Sequence, residues 1–177
     1  YHPMPTADAI LTLTAGDVTL TVHPDAGCRI GQISVAGQPL LVDVADVSHA
    51  MTWGSFPMAP WAGRIAHGHF SFQGIEHQLD INHHDGDGPR RAHAIHGLVF
   101  DRPWVLDDVH EVSDTSCTAS RGFDWGFGGR VTQTIELQPD RVTITLTIES
   151  TGRAFPAELG WHPWFRRSLG EGGAPLR

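Results

Sequence analysis

The sequence contains no lysine: all 12 basic residues among its 177 are arginine. A phosphate-cradling P-loop needs its lysine, so that nucleotide-binding class is excluded. Schiff-base chemistry, including the usual attachment of pyridoxal phosphate, is excluded on the same ground. Tyrosine is nearly as scarce. The single one is Tyr1, which leaves no internal phenol to serve as acid or nucleophile. The only two cysteines, Cys28 and Cys117, match no metal or redox spacing and make no disulfide framework, so two free thiols are expected. No apolar run approaches ~18 residues, which argues against a membrane span. No basic-then-apolar signal opens the chain, and cytoplasm is the default compartment.

What is present narrows the class further. Hydrophobic residues make up 40% of the chain and charged residues 18%, a balance that supports a packed core and excludes a disordered chain. The formal net charge of −8 makes nucleic acid and anionic membranes poor partners. Twelve histidines supply groups that titrate near neutrality without help.

Period-2 patterns dominate. Ile10 to Leu13 leads through Ala15-Gly16-Asp17 into Val18 to Val22, which reads as a hairpin. Ile30 to Val35 and Pro39 to Val42 flank the turn Ala36-Gly37-Gln38. Phe70 to Phe72 and Ile75 to Leu79 flank Gln73-Gly74. Val131 to Leu137 alternates cleanly, turns at Gln138-Pro139-Asp140 and returns as Val142 to Ile148. On the return, Val142, Ile144, Leu146 and Ile148 share one face. No dozen-residue stretch holds a helical period. An all-β antiparallel sandwich in a single domain, residues 1–177, is the expected fold. The polar stretch 82–94 is expected to be a surface loop.

Seven of the histidines fall between His67 and His96. His67-Gly68-His69 resembles the start of a cupin-type metal site, with both rings on one strand face and Glu76 as the next carboxylate. No second element completes the ligand set, and surface histidines are the simpler reading. Three other blocks carry more chemistry. Trp53 to Ile65 (WGSFPMAPWAGRI) cannot be a regular central strand, because its prolines remove ladder donors. Arg64, set among its aromatics, needs acceptors, either carbonyls or ligand hydroxyls. In Ala94-Ile95-His96-Gly97 the glycine permits close approach of backbone or ligand. In Glu158 to Phe165 (ELGWHPWF), Pro163 holds His162 extended between aromatics, where it is either a proton donor or a core residue.

In this order and spacing the blocks resemble the aldose 1-epimerase (galactose mutarotase) family. The shared features are Phe56, Pro57, Pro60, Arg64 and Ile65, followed by Gly68, Phe70, Phe72 and Gly74. His96-Gly97 with Trp104 and His162-Pro163-Trp164-Phe165 complete them. The resemblance spans about Val18 to Phe165. It implies the family's large antiparallel supersandwich and interconversion of hexose anomers, with no metal or organic cofactor. His162 matches the acid that protonates the ring oxygen, and His96 the second essential histidine near the anomeric centre. Arg64 matches the arginine that binds sugar hydroxyls, and Trp61 and Trp164 are the candidate sugar-binding aromatics. A free hexose is the implied partner. Adjacent Arg90-Arg91 leave a phosphorylated sugar open.

Three positions depart from the family pattern. Gly63 stands where asparagine often precedes the Arg-Ile pair, and Arg166 takes the place of an asparagine after the aromatic pair. The family's base is a glutamate far downstream of its histidine, with a sugar-binding aspartate between, and neither has a match here. The sequence therefore reads as the N-terminal portion of a mutarotase-like domain, expected to catalyse poorly alone. Glu158 is the first alternative base, and a non-catalytic sugar-binding module is the alternative function.

Overall fold

The structure is a computed structural model that describes residues 10–46, 51–86, 91–106, 113–169 and 173. Threonine–aliphatic alternation builds the first hairpin. Strands β1 (Leu11–Ala15) and β2 (Val18–His23) pair with Leu13 opposite Leu20, so their leucines point inward and most of their threonines outward. Strand β3 (Arg29–Val35) continues the sheet, with a short β4 (Gln38–Pro39) on its flank. Strands β5 (Ser55–Met58) and β15 (Gly160–Pro163) complete the order β1-β2-β3-β5-β15, which corrects the expectation for the 53–65 block: four of its residues form an interior strand despite Pro57, meeting β3 only at Ser55.

A second antiparallel sheet faces the first. It consists of β11 (Val105–Leu106), β12 (Ser116–Phe123), β13 (Gly129–Gln138) and β14 (Arg141–Ser150), in that order. The β13–β14 register sets Leu137 opposite Val142, as the alternation of the two segments requires. One core fills the gap between the sheets. Leu13, Leu20, Val22 and Ile30 meet Cys117, Ala119, Val131, Ile135 and Leu137, all buried. Within it Gln133 is satisfied at both ends of its amide. Its Nε2 donates to Cys28 O at 2.6 Å and its Oε1 accepts from Trp161 Nε1 at 2.8 Å. That amide ties the second sheet to the residue before β3 and to edge strand β15 of the first. The expected all-β antiparallel sandwich is the fold observed.

Smaller sheets lie beside this sandwich. Strands β6 (Arg64–Ala66), β10 (Ala92–Ile95) and β9 (His83–His84) form one, and the hairpin β7 (His69–Phe72) with β8 (Ile75–Gln78) forms another. They correct the expectation of a continuous loop over 82–94. Residues 83–84 and 92–95 pair as strands, because Asn82 uses its side chain as a strand neighbour would. Its Nδ2 donates to Ile95 O at 3.0 Å and its Oδ1 accepts from Ile95 N at 2.8 Å. The expected strand through Val42 is also shorter. Leu40 N still donates to Ile33 O at 2.9 Å, but Gln32 Oε1 also takes the amides of Leu40 and Leu41 at 3.0 and 2.8 Å, a side-chain clamp where the ladder ends.

Cys28 and Cys117 are free and fully buried in the core, as expected from their spacing. Burial pushes the Cys28 thiol up to about 12 and the Cys117 thiol to about 11. A thiol that does not ionise does not attack. Neither cysteine should react with a maleimide or iodoacetamide at pH 8 in the folded protein, while both should react in denaturant. Mass spectrometry of the labelled protein checks this.

Candidate active site

His162 lies on β15 directly opposite Phe56 on β5. Alternation along β15 sends Trp161 into the sandwich, onto Gln133, and His162 out of the opposite face. There the imidazole lies between two rings. Phe56 is stacked on it at 5.0 Å with an interplanar angle of 14°, and Trp164 at 5.2 Å and 23°. Trp164 is fixed in turn by its Nε1 donating to Met51 O at 2.8 Å.

His96 arrives from the end of β10 in a left-handed conformation, φ 61°, followed by Gly97 at φ 81°. Two backbone bonds hold this turn against the 59–63 segment: His96 N donates to Gly63 O at 2.9 Å and Leu98 N to Ala59 O at 2.7 Å. A Cβ on Gly97 would sit 2.0 Å from Ala59 O, so the close approach that its glycine permits is made by protein backbone. The turn brings the His96 ring to 5.1 Å from the His162 ring, edge to face, and to 5.8 Å from Phe56. The Nδ1 atoms of both histidines are buried without a hydrogen-bond partner among the described residues.

Arg64 is exposed on β6, its backbone paired with Ile95, one residue before His96. It is not the buried arginine that its aromatic neighbours suggested. Its Nη1 donates to Asp85 Oδ2, whose Oδ1 lies 2.6 Å from His83 Nε2. The guanidinium buried against aromatics is Arg29 from β3. It lies 4.2 Å from the Trp53 ring centroid and 5.2 Å from that of Phe56, and donates to the carbonyls of Ala26, Trp53 and Phe100 at 3.0 to 3.1 Å. Burial lowers its pKa to about 9, which leaves it charged at neutral pH.

Trp61 is buried on the other side of the 60–64 segment, stacked on Trp125 at 5.7 Å. The two indoles help line a cavity of about 490 Å³ with Arg64, Ile65, Phe70 and Glu158. His96 and His162 are not among its lining residues. Glu158 is exposed at the rim, its amide bonded to Pro60 O at 2.9 Å. The structure therefore brings His96, His162 and Trp164 into one ring cluster, and Trp61 and Arg64 into a neighbouring cavity. Phe56 was flagged only as part of the family pattern, and Asp85 and Trp125 had no sequence signal beyond their type.

The paired histidines of the cupin-like motif part company. His67 occupies a left-handed turn, φ 57°, between β6 and β7, so strand alternation does not apply to it. Among the described residues, no group of three or more His, Cys, Asp or Glu is arranged to hold a metal ion. Of the Arg90-Arg91 pair, Arg90 lies outside the described residues, and Arg91 Nη1 donates to Asp85 O at 2.8 Å.

Comparison with known proteins settles the lineage. A sequence profile described as aldose 1-epimerase matches residues 9–172. The chain belongs to the aldose 1-epimerase family. Its relatives include the uncharacterised protein YphB of Escherichia coli K12, 31% identical over 157 residues, which cover 88% of this chain and 51% of that protein. A crystallised Escherichia coli K12 homologue superposes with a TM-score of 0.77 at 30% identity, over 90% of this chain and 52% of its own. A galactose mutarotase-like protein from Clostridium acetobutylicum shares the fold at a TM-score of 0.76 and 17% identity, over 93% of this chain and 53% of that one. The chain spans about half the length of the curated relatives it matches, 51% in each of two.

Burial, reinforced by the charges of His162, His83 and Arg64, lowers the pKa of His96 to about 4. At neutral pH it is an uncharged ring beside His162. Burial also lowers His23, whose ring stands edge-on to Trp53 at 5.1 Å, with Arg29 adding to the shift and Asp43 opposing it. The unfolded chain protonates both rings below about pH 6.5, whereas the folded protein resists until lower pH. Their linkage leaves stability undiminished above about pH 6.5 and lowers it as pH falls from there through 4. The thermal midpoint should decline over that interval, and less steeply in His96→Gln. An equal decline in the variant would contradict the assignment.

Proposed function

We propose that the protein is an aldose 1-epimerase that interconverts the α and β anomers of a free hexose. Such a reaction needs a base to take the proton from the C1 hydroxyl and an acid to protonate the ring oxygen as C1–O5 opens. The aldehyde then rotates about C1–C2 and closes on its other face. In this reading His162 is the acid on the ring oxygen. His96, held neutral, is a hydrogen-bonding partner near the anomeric centre. Arg64 binds hydroxyls, and Trp61 and Trp164 present apolar faces to the sugar. No metal or cofactor takes part, and the setting is the cytoplasm.

The observation that carries the proposal is the packing of the two histidine rings, 5.1 Å apart, in a chain that matches the aldose 1-epimerases over 9–172. With His96 held uncharged by burial, the adjacent rings can take separate acid and hydrogen-bonding roles. The chain is read as a single domain, the N-terminal portion of a longer mutarotase-like domain. A second reading, a sugar-binding module without catalysis, is favoured by the carboxylates at hand. Asp85 is engaged by Arg64 and His83, and Glu158 sits exposed at a cavity rim.

Titration with D-galactose and D-glucose, combined with polarimetry on freshly dissolved α anomers at neutral pH, tests both. Saturable sugar binding that survives dialysis against EDTA is expected. The 177 residues alone should give a weak rate, since no carboxylate matches the family's base. Wherever a rate is measurable, His162→Ala should lower it about 100-fold or more. A competent rate from these residues would make Glu158→Gln the next variant. Absence of binding to either sugar would overturn the proposal.

A further inference from the structure

Resting on the sugar-site reading above, we propose that Asp85 is a positioning residue that orients the Arg64 guanidinium for the hydroxyls of the bound sugar. Strand pairing fixes the backbone of Arg64 opposite Ile95 but does not by itself orient its side chain. That side chain is 44% exposed, and a long side chain in water samples many rotamers. Orientation must come from a partner.

Asp85 is that partner, and it is itself held on several sides. Its Oδ2 accepts from Arg64 Nη1, and His93 Nε2 lies 3.6 Å from the same oxygen. Its Oδ1 lies 2.6 Å from His83 Nε2. Its main chain is clamped to Arg91, with Asp85 N donating to Arg91 O at 2.9 Å and Arg91 Nη1 donating to Asp85 O at 2.8 Å. The hydrogen bond from Arg64, and then that from His83, hold the carboxyl below its usual range, so it stays ionised.

Fold stability does not account for this arrangement. Ion pairs as exposed as this one add little to folding stability. What the pair supplies is direction. A guanidinium carries five N–H donors, and one on Nη1 is used on Asp85. The others stay on a group that lines the 490 Å³ cavity and whose charge reaches His96. With a carboxylate acceptor beside these donors, a sugar hydroxyl can donate and accept at one place.

A double-mutant cycle on galactose affinity, measured by calorimetry on Asp85→Asn, Arg64→Gln and the double variant, tests the role. Each single variant should weaken binding about tenfold, and the double no more than Arg64→Gln alone, because Asp85 acts through Arg64. Asp85→Glu should recover most of the affinity, with thermal midpoints close to wild type throughout. Wild-type affinity in Asp85→Asn, or losses that multiply in the double variant, would overturn the positioning role alone. No binding of galactose or glucose by the wild type would overturn the sugar-site reading and this role with it.

Discussion

The candidate site hangs on a buried cation. Arg29 is 1% exposed, and its guanidinium reaches three separate stretches of chain through the carbonyls of Ala26, Trp53 and Phe100. Burying a guanidinium without acceptors is costly, so these carbonyls must converge on it. Their convergence brings the 24–27 turn, the segment before β5 and the loop after His96 to one point. Gly27 shows how tight that point is, since a Cβ there would meet Phe100 O at 2.0 Å. The same guanidinium lies against Phe56, and Phe56 is the ring on which His162 stacks. Arg29 thus packs against the ring that also supports His162, alongside the β5–β15 pairing that sets the two opposite each other.

A second constraint acts on His96. A non-glycine residue in the left-handed region costs of order 1 kcal/mol or more. Here the backbone bonds to Gly63 and Ala59 hold it in place. The return is geometric: a strand end that would carry the ring along the sheet turns it onto His162. Burial, with the neighbouring His162 adding to it, keeps His96 uncharged at neutral pH.

Much of the fold was legible because strands with one buried face advertise themselves. The β13 and β14 segments alternate over ten residues each, and Gly16 and Gly74 mark turns at positive φ. Several strands escaped notice, among them β9, only two histidines long, β10, only four residues, and β12, whose apolar residues are the small Cys117 and Ala119 and the distant Phe123. His96, His162 and Trp164 were legible through the blocks that carry the family resemblance, and the structure puts their rings in one cluster. Arg29 was not. It sits in a strand sequence, RIGQISV, that gives no hint of its partners, which come from 24 and 71 positions away. Asp85 escaped for a similar reason, because its partner Arg64 lies 21 positions earlier on another strand.

Imidazole ¹H–¹⁵N correlation spectra recorded during a titration with D-galactose would show whether the His96–His162 pair is the chemical centre of a sugar site. The ring resonances of His96 and His162 should shift together and saturably, while those of His69, exposed on β7, should stay in place. Saturable binding that leaves both rings unmoved would contradict it.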